Sequence, residues 1–528
     1  MKNKYNLSSS LSREDNKRPS IDYNGNKEYT LDEAIYLTGF GRFNVAIVIL
    51  SGIVIMGATI ENISIAFVLP YANCDLNMTT TELGLVSSIA FLGIVVSSHW
   101  WGFLADTWGR QKVIRLTATC ALISALLSAF AVNAATLVLL RFCVGIFISG
   151  LQASVFSYVS EFHTKLTAPR AASFVSMFMP MIFIFASIVG MILIPMNWSI
   201  NLFFIKFVPW RLYIIVIAIV NAVNTIVFSF MPETPKFLLA MSKPNEALDV
   251  LRKMYEINTG SIKEGYPVYY LISEASANDL TATKGFMNIL KLVWNQTKPI
   301  FVAPYLDSTV KLCFMVFTLF AIGHGTAMWL PDFLIQLHNN EDASKTLCGV
   351  VGHERLILSS DQECNIDNGD TLTFQIMCYI GVVFTILSGL ISFYLDKVNP
   401  RFLVPSWIII SGLCALALNL LTEFYTIVIA FVTFLSSSLC AAIVSAISVS
   451  LYPTHIRAMA TCFIFMFGRI GGLAGGNLVG VLVENNCNLI FNVFAGLAFV
   501  CAFVFLSMKK ETPTPAVQSN DQTNNCSA

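Results

Sequence analysis

The feature that most constrains this chain is a recurrence of apolar runs, each about 20 residues long, the length an α-helix needs to cross a bilayer. They fall at roughly 43–69, 84–103, 113–132, 134–160, 170–195 and 209–231, and after a polar gap at 311–334, 373–395, 402–421, 425–450, 458–482 and 488–508. Backbone polar groups in lipid must be satisfied within the segment, so the expected class is an all-α membrane protein with twelve transmembrane helices in two sets of six. With 55% hydrophobic and 12% charged residues the chain is too apolar for a large soluble globule. Its 32 basic and 32 acidic residues cancel, which argues against a nucleic-acid partner. Arg110, Lys112, Lys165, Arg170, Lys397, Arg401, Arg457, Lys509 and Lys510 all fall on one side of the spans. That side is expected to be the cytoplasm, with both termini on it.

Five segments follow. Residues 1–29 are polar, read as a disordered cytoplasmic amino terminus, and have no signal-peptide core. Residues 30–231 form the first six-helix bundle, entered through a short helix that a Thr30/Glu33 capping box would start. Residues 232–310 form a linker, in which Ala247, Leu248, Leu251, Met254 and Tyr255 recur at helical spacing as the apolar face of a helix covering the bundle ends. Residues 311–508 form the second bundle and 509–528 a polar cytoplasmic tail. On the outer side, Cys348 and Cys364 share one loop and an oxidising compartment would join them, with Cys74 and Cys487 as weaker candidates. Asn77-Met78-Thr79 and Asn197-Trp198-Ser199 are glycosylation acceptors on that side, in loops short enough for the membrane to block modification.

The turn between the second and third runs reads GFLADTWGRQK, from Gly102 to Lys112. It resembles the loop between helices two and three of major facilitator proteins, matched here by Gly102, Asp106, Gly109, Arg110 and Lys112. Gly109 permits a tight reversal, and Asp106 with Arg110 can form a latch that breaks and re-forms during transport. The blander reading is a solvated basic turn. A second copy is degenerate: Asp396 stands in the equivalent turn, followed by Asn399, Pro400 and Arg401. The first half has Glu161 and Arg170 after its fourth helix, whereas the second has Ser450 and Arg457 after its tenth. The amino-terminal gating set Asp106, Arg110, Glu161 and Arg170 is therefore full, and the carboxy-terminal set Asp396, Arg401 and Arg457 lacks one acid and a matching arginine.

The run Pro232-Glu233-Thr234-Pro235-Lys236 resembles a signature after helix six of sugar porters and organic-ion transporters. Within that group the chain is similar to the synaptic vesicle glycoprotein 2 family, in particular to its shorter, insect-like members. The residues that carry this are Gly39 to Phe43, Phe67 to Pro70, Phe156 to Phe162, Pro209-Trp210-Arg211 and Trp329 to Asp332. The vertebrate members carry a luminal domain of five-residue repeats after helix seven; the loop here, 335 to 372, has no room for one. They also carry a Trp and an Asp in helix ten at positions that align with Ala441 and Ser445. No Gln occurs from Phe174 to Gly190, which disfavours a hexose site.

Ionisable groups inside apolar spans are costly and usually face a partner or an aqueous cavity. Glu61, beside Asn62 in the first span, can act as a proton site or as a fixed strut paired with a buried arginine. Arg469 lies near the middle of the eleventh span and can bind an anionic group or pair with Glu61. Arg141 heads a run resembling the fourth-helix motif linked to proton coupling, against which stands a snorkelling side chain. His324 lies between Gly323 and Gly325 in the seventh span, either titrating or simply packed, and Trp329 follows as an aromatic wall of the cavity. The Gly468 to Gly480 series reads as close helix packing. No catalytic triad, metal-spaced cluster or nucleotide loop is found, so no enzyme, cofactor or metal is expected.

The resemblance implies a major facilitator fold that moves a small organic solute by alternating access, with a proton as candidate coupling ion. The expected state is a monomer in a vesicle or plasma membrane. The competing class is a transporter-derived binding or trafficking protein that no longer cycles. An ion channel is the weakest reading, because no ring of like charges or filter sequence occurs.

Overall fold

Helices form where the apolar runs sit, and polar punctuation sets their ends. The computed structural model describes residues 28–202, 205–261, 265–272, 298–339, 346–350, 371–394, 399–452 and 454–508. The chain enters through α1 (Leu31–Leu37), started by the expected capping box: the Glu33 N–H donates to Thr30 Oγ1 at 3.4 Å and the Thr30 N–H to Glu33 Oε2 at 2.9 Å. The first bundle comprises α2 (Arg42–Ile63) continued by α3 (Ile65–Leu76), then α4 (Thr80–Trp108), α5 (Arg110–Ser128) and α6 (Ala134–Ser160). It closes with α7 (Ala168–Ser176) continued by α8 (Met181–Leu193), a short hairpin of Ile200–Leu202 and Ile205–Phe207, and α9 (Pro209–Phe230). Thr79 with Glu82 and Asn133 with Thr136 cap α4 and α6, and Pro209 opens α9 at a position where its missing N–H costs nothing.

The linker holds α10 (Pro235–Ala240) and α11 (Pro244–Thr259). Ala247, Leu248, Leu251 and Met254 are buried, so the stripe read from spacing is the face that packs. It lies against the first bundle, where Asn258 acts as a clamp. Its side-chain amide donates to Gly39 O at 2.9 Å and Asn44 Oδ1 at 2.8 Å, and its Oδ1 accepts from the Phe43 N–H at 2.9 Å.

The second bundle begins with α12 (Leu306–Phe320), a π turn at Ala321–Gly325 and α13 (Leu330–Asn339). It continues with α14 (Leu372–Tyr394), α15 (Pro400–Leu418), α16 (Phe424–Ser436), α17 (Cys440–Leu451), α18 (Thr454–Asn485) and α19 (Cys487–Leu506). Eleven spans among the described residues are long and apolar enough to cross a membrane. The remaining one of the expected twelve is α5, whose first turns carry Arg110, Lys112 and Arg115.

The two bundles meet where α4 packs on α18, α7 and α8 on α14, and α3 on α13. Glycines make close helix approaches possible both within a bundle and at this seam. A Cβ at Gly475 would stand 2.5 Å from the Ala321 carbonyl oxygen, so α18 lies backbone to backbone against the π turn of its own bundle. The next residue, Gly476, faces Ser88 of α4, and Gly472 faces Phe91. One glycine series thus serves two faces of α18, as close packing of small residues allows.

The disulfide differs from expectation. Cys348 bonds to Cys487 at the start of α19, with Cα atoms 5.4 Å apart, within the span a disulfide requires. The expected Cys348 to Cys364 bond therefore does not form. Sharing a loop does not set Cα separation, and the fold brings Cys487 to Cys348 across 139 residues. Cys364 lies outside the described residues, and Cys74 is itself disulfide-bonded. Asn77 and Asn197 are both exposed.

Candidate functional site

The predicted residues gather in three places rather than one. The first is the latch. Gly109 turns the chain between α4 and α5 with φ +110°, a backbone that side chains other than hydrogen rarely accept. The reversal aims Arg110 back along its own turn, where Nη2 lies 2.8 Å from Asp106 Oδ1 and 3.2 Å from Glu161 Oε1. Glu161 in turn accepts from Thr234 Oγ1 at 2.6 Å. Glu233 completes the knot, its Oε1 accepting the N–H of Gln111 and the N–H of Thr234, each at 3.1 Å. Burial pushes the Glu233 carboxyl above the usual range, against the pull of those two N–H groups and of Arg110. The guanidinium also lies 5.4 Å from the Phe237 ring centroid.

The latch is thus a three-segment junction rather than a charged turn. Asp106, 62% exposed, is the more solvent-screened partner of Arg110, and Glu161, 7% exposed, the more enclosed one. Sequence reasoning quoted Pro232 to Lys236 as a signature without giving Glu233 a role. The available signal was an acid flanked by prolines opposite a basic turn. Arg170 is exposed at the start of α7, and nothing approaches a Cβ placed on Gly102. On the second bundle Arg401 is exposed at the start of α15. Asp396 and the side chain of Arg457 lie outside the described residues.

The second place is an ion pair inside the first bundle. Glu61 and Arg141 are each 1% exposed, with Glu61 Oε2 3.8 Å from Arg141 Nη1. Arg141 donates to Ser128 Oγ at 2.9 Å and to the Glu61 carbonyl oxygen at 3.3 Å, and Asn221 donates to Glu61 Oε1 at 3.3 Å. Glu61 Oε2, Arg141 Nε, the Tyr213 hydroxyl and Asn62 Oδ1 are buried without a hydrogen bond. Arg141 therefore does not snorkel; it is the buried arginine that Glu61 needs. The expected Glu61 to Arg469 pair is not formed, because α2 packs against α6 and puts Arg141 at the depth of Glu61. Asn221 and Ser128 were missed, since an Asn or Ser in an apolar run carries no charge to flag it.

The third place is the seam between the bundles. Arg469 of α18 donates from Nη1 to Gln152 Oε1 of α6, and Asn477 of α18 donates to Ser88 Oγ of α4 at 2.7 Å. His324 stacks on Phe320 at 4.5 Å between ring centroids and meets Phe91 edge-on at 6.0 Å. Trp329 is 2% exposed and its indole N–H donates to the Gly476 carbonyl at 2.9 Å, so it braces α18.

The chain is similar to several known proteins. The synaptic vesicle glycoprotein 2C of Rattus norvegicus is 30% identical over 325 residues, 58% of this chain and 45% of its own length. The 2B protein of Mus musculus is 28% identical over 324 residues, 58% of this chain and 47% of its own. The chain thus spans about half the length of the curated relatives it matches. Among solved structures, the inward open xylose transporter XylE from E. coli matches with a TM-score of 0.63 at 11% identity, covering 90% of this chain and 98% of that one. A bacterial homolog of the human lysosomal transporter Spinster matches with a TM-score of 0.60 at 11% identity, covering 88% and 97%. The profile of the Major Facilitator Superfamily matches residues 47–352, more than half of the chain, and the protein belongs to that superfamily.

Proposed function

We propose that this protein is a secondary transporter that moves a small organic solute by alternating access, with the solute held between the two bundles. The observation that carries this reading is a contrast between bundle interior and seam. Within the first bundle an ion pair is wholly buried, so separating those helices costs several kcal/mol. Among the described residues, side-chain hydrogen bonds across the seam include those of neutral amides and hydroxyls, together with one arginine. Two stiff units joined by a lightly bonded seam are what rocking requires. Proton coupling belongs to the Glu61 and Arg141 pair, whose carboxylate keeps one oxygen free of hydrogen bonds. The basic residues around the latch make its face cytoplasmic. A monomer in a vesicle or plasma membrane completes the reading.

The experiment is uptake of a panel of organic cations, anions and sugars into proteoliposomes at two pH values. Accumulation that follows the pH gradient, lost in Glu61→Gln while exchange of bound solute persists, is the expected result. The likeness to synaptic vesicle glycoprotein 2 and the altered second latch turn favour a second reading, a binding protein that no longer cycles. Saturable binding with neither uptake nor exchange would establish that alternative and end the transport reading.

A further inference from the structure

Arg469 is a cation in the middle of a 32-residue helix, and its bonded partner is the neutral amide of Gln152. Among the described residues no carboxylate balances it; its electrostatic neighbours are Cys462 and His324. The contrast with two other arginines of the spans is sharp: Arg141 has Glu61 at 3.8 Å and Arg211 has Asp75 at 2.7 Å. An unbalanced guanidinium within a membrane span is costly, and such residues mark ligand pathways. Arg469 is also half-buried, and only its Nη1 makes a hydrogen bond, which leaves the other N–H donors of its planar fork without a hydrogen-bond partner among the described residues.

What surrounds the charge narrows the ligand. Phe320 and Phe91 supply aromatic surface, and His324 stacks on the first and meets the second edge-on. An apolar wall and a forked cation together suit a carboxylate carried on an apolar body.

We propose that Arg469 is the counter-ion of the transported solute, which is an organic anion whose carboxylate docks on the guanidinium with its apolar part against Phe91, Phe320 and His324. This rests on the transport reading above for the word transported, but the site itself does not. Gln152 holds Arg469 across the seam when the site is empty. A carboxylate accepting two N–H bonds replaces that amide, so the same arginine joins the bundles through the ligand.

The test uses the purified full-length chain in detergent and three probe pairs, benzoate, 3-phenylpropionate and hexanoate, each against its neutral primary amide. Dissociation constants by calorimetry and ligand-induced thermal shifts are read for the native protein, Arg469→Gln and Arg469→Lys. The native protein should bind at least one carboxylate roughly tenfold or more tighter than its amide, the factor one charge-assisted hydrogen bond supplies. Arg469→Gln should abolish that preference, and Arg469→Lys, a point charge without the fork, should keep part of it. Equal binding of every carboxylate and its amide by the native protein overturns the proposal without needing any variant. So does a preference that survives in Arg469→Gln. Proteoliposome uptake separates the two readings: a carboxylate preference without uptake ends transport but keeps the site. Uptake of neutral or cationic solutes unchanged by Arg469→Gln, with no such preference, ends the site but keeps transport.

Discussion

Substituting Gly109 by Ala tests whether the latch is a structural junction or a solvated turn. The residue sits at φ +110° and ψ 144°, a region that costs a side-chain-bearing residue about 1–3 kcal/mol. The added methyl would overlap Glu233 Oε2 and stand 2.9 Å from its Cδ and 3.1 Å from Phe237 Cε1. The carboxylate is the far end of a flexible chain and can swing away, but it then abandons the N–H groups of Gln111 and Thr234. Hydrogen bonds to a charged group are each worth about 1.5–3 kcal/mol, discounted here because Glu233 is not wholly enclosed. Together the terms come to a loss of roughly 2–5 kcal/mol. Gly102→Ala is the internal control, since it lies inside α4 with nothing within 4 Å, and should be neutral or gain about 0.5–1 kcal/mol of helix propensity. Thermal unfolding followed by fluorescence-detected size exclusion ranks the two, and thiol labelling of a cysteine introduced beside the latch reports its opening. Equal stability and equal labelling in both variants would refute the junction and leave only a basic turn.

Glu161→Gln should open the latch more than Asp106→Asn, because the first acid is enclosed and the second is 62% exposed; labelling rates at the same cysteine decide, and the reverse order would remove the ranking. Arg141→Met should destabilise the chain by about 3–5 kcal/mol by stranding Glu61, and adding Glu61→Gln should recover part of that loss in a double-mutant cycle. Non-reduced peptide mapping should recover Cys348 joined to Cys487, and Cys487→Ser should leave Cys348 reactive to maleimide in native protein. A Cys348 to Cys364 peptide in the native chain would contradict the fold of that face.

Span lengths, the six-plus-six division, the capping box at Thr30 and the packed face of the linker helix were legible because each is local. Each depends on residues within a few turns of one another, where period, propensity and capping act directly on sequence. The latch turn was legible for the same reason: Asp106, Gly109 and Arg110 share one short stretch. What needed the tertiary structure is every choice of partner across the chain. Glu61 took Arg141 rather than Arg469, Cys348 took Cys487 rather than Cys364, and Glu233 came to the latch from 122 residues away. Spacing cannot settle such choices, because a buried charge or thiol accepts any complement the packing delivers. Which helix delivers it depends on where glycines let backbones touch and on which bundle each helix joins. Among the described residues the packing supplies Arg469 with no carboxylate, and the charges inside the apolar runs, read along the sequence, gave no sign of that.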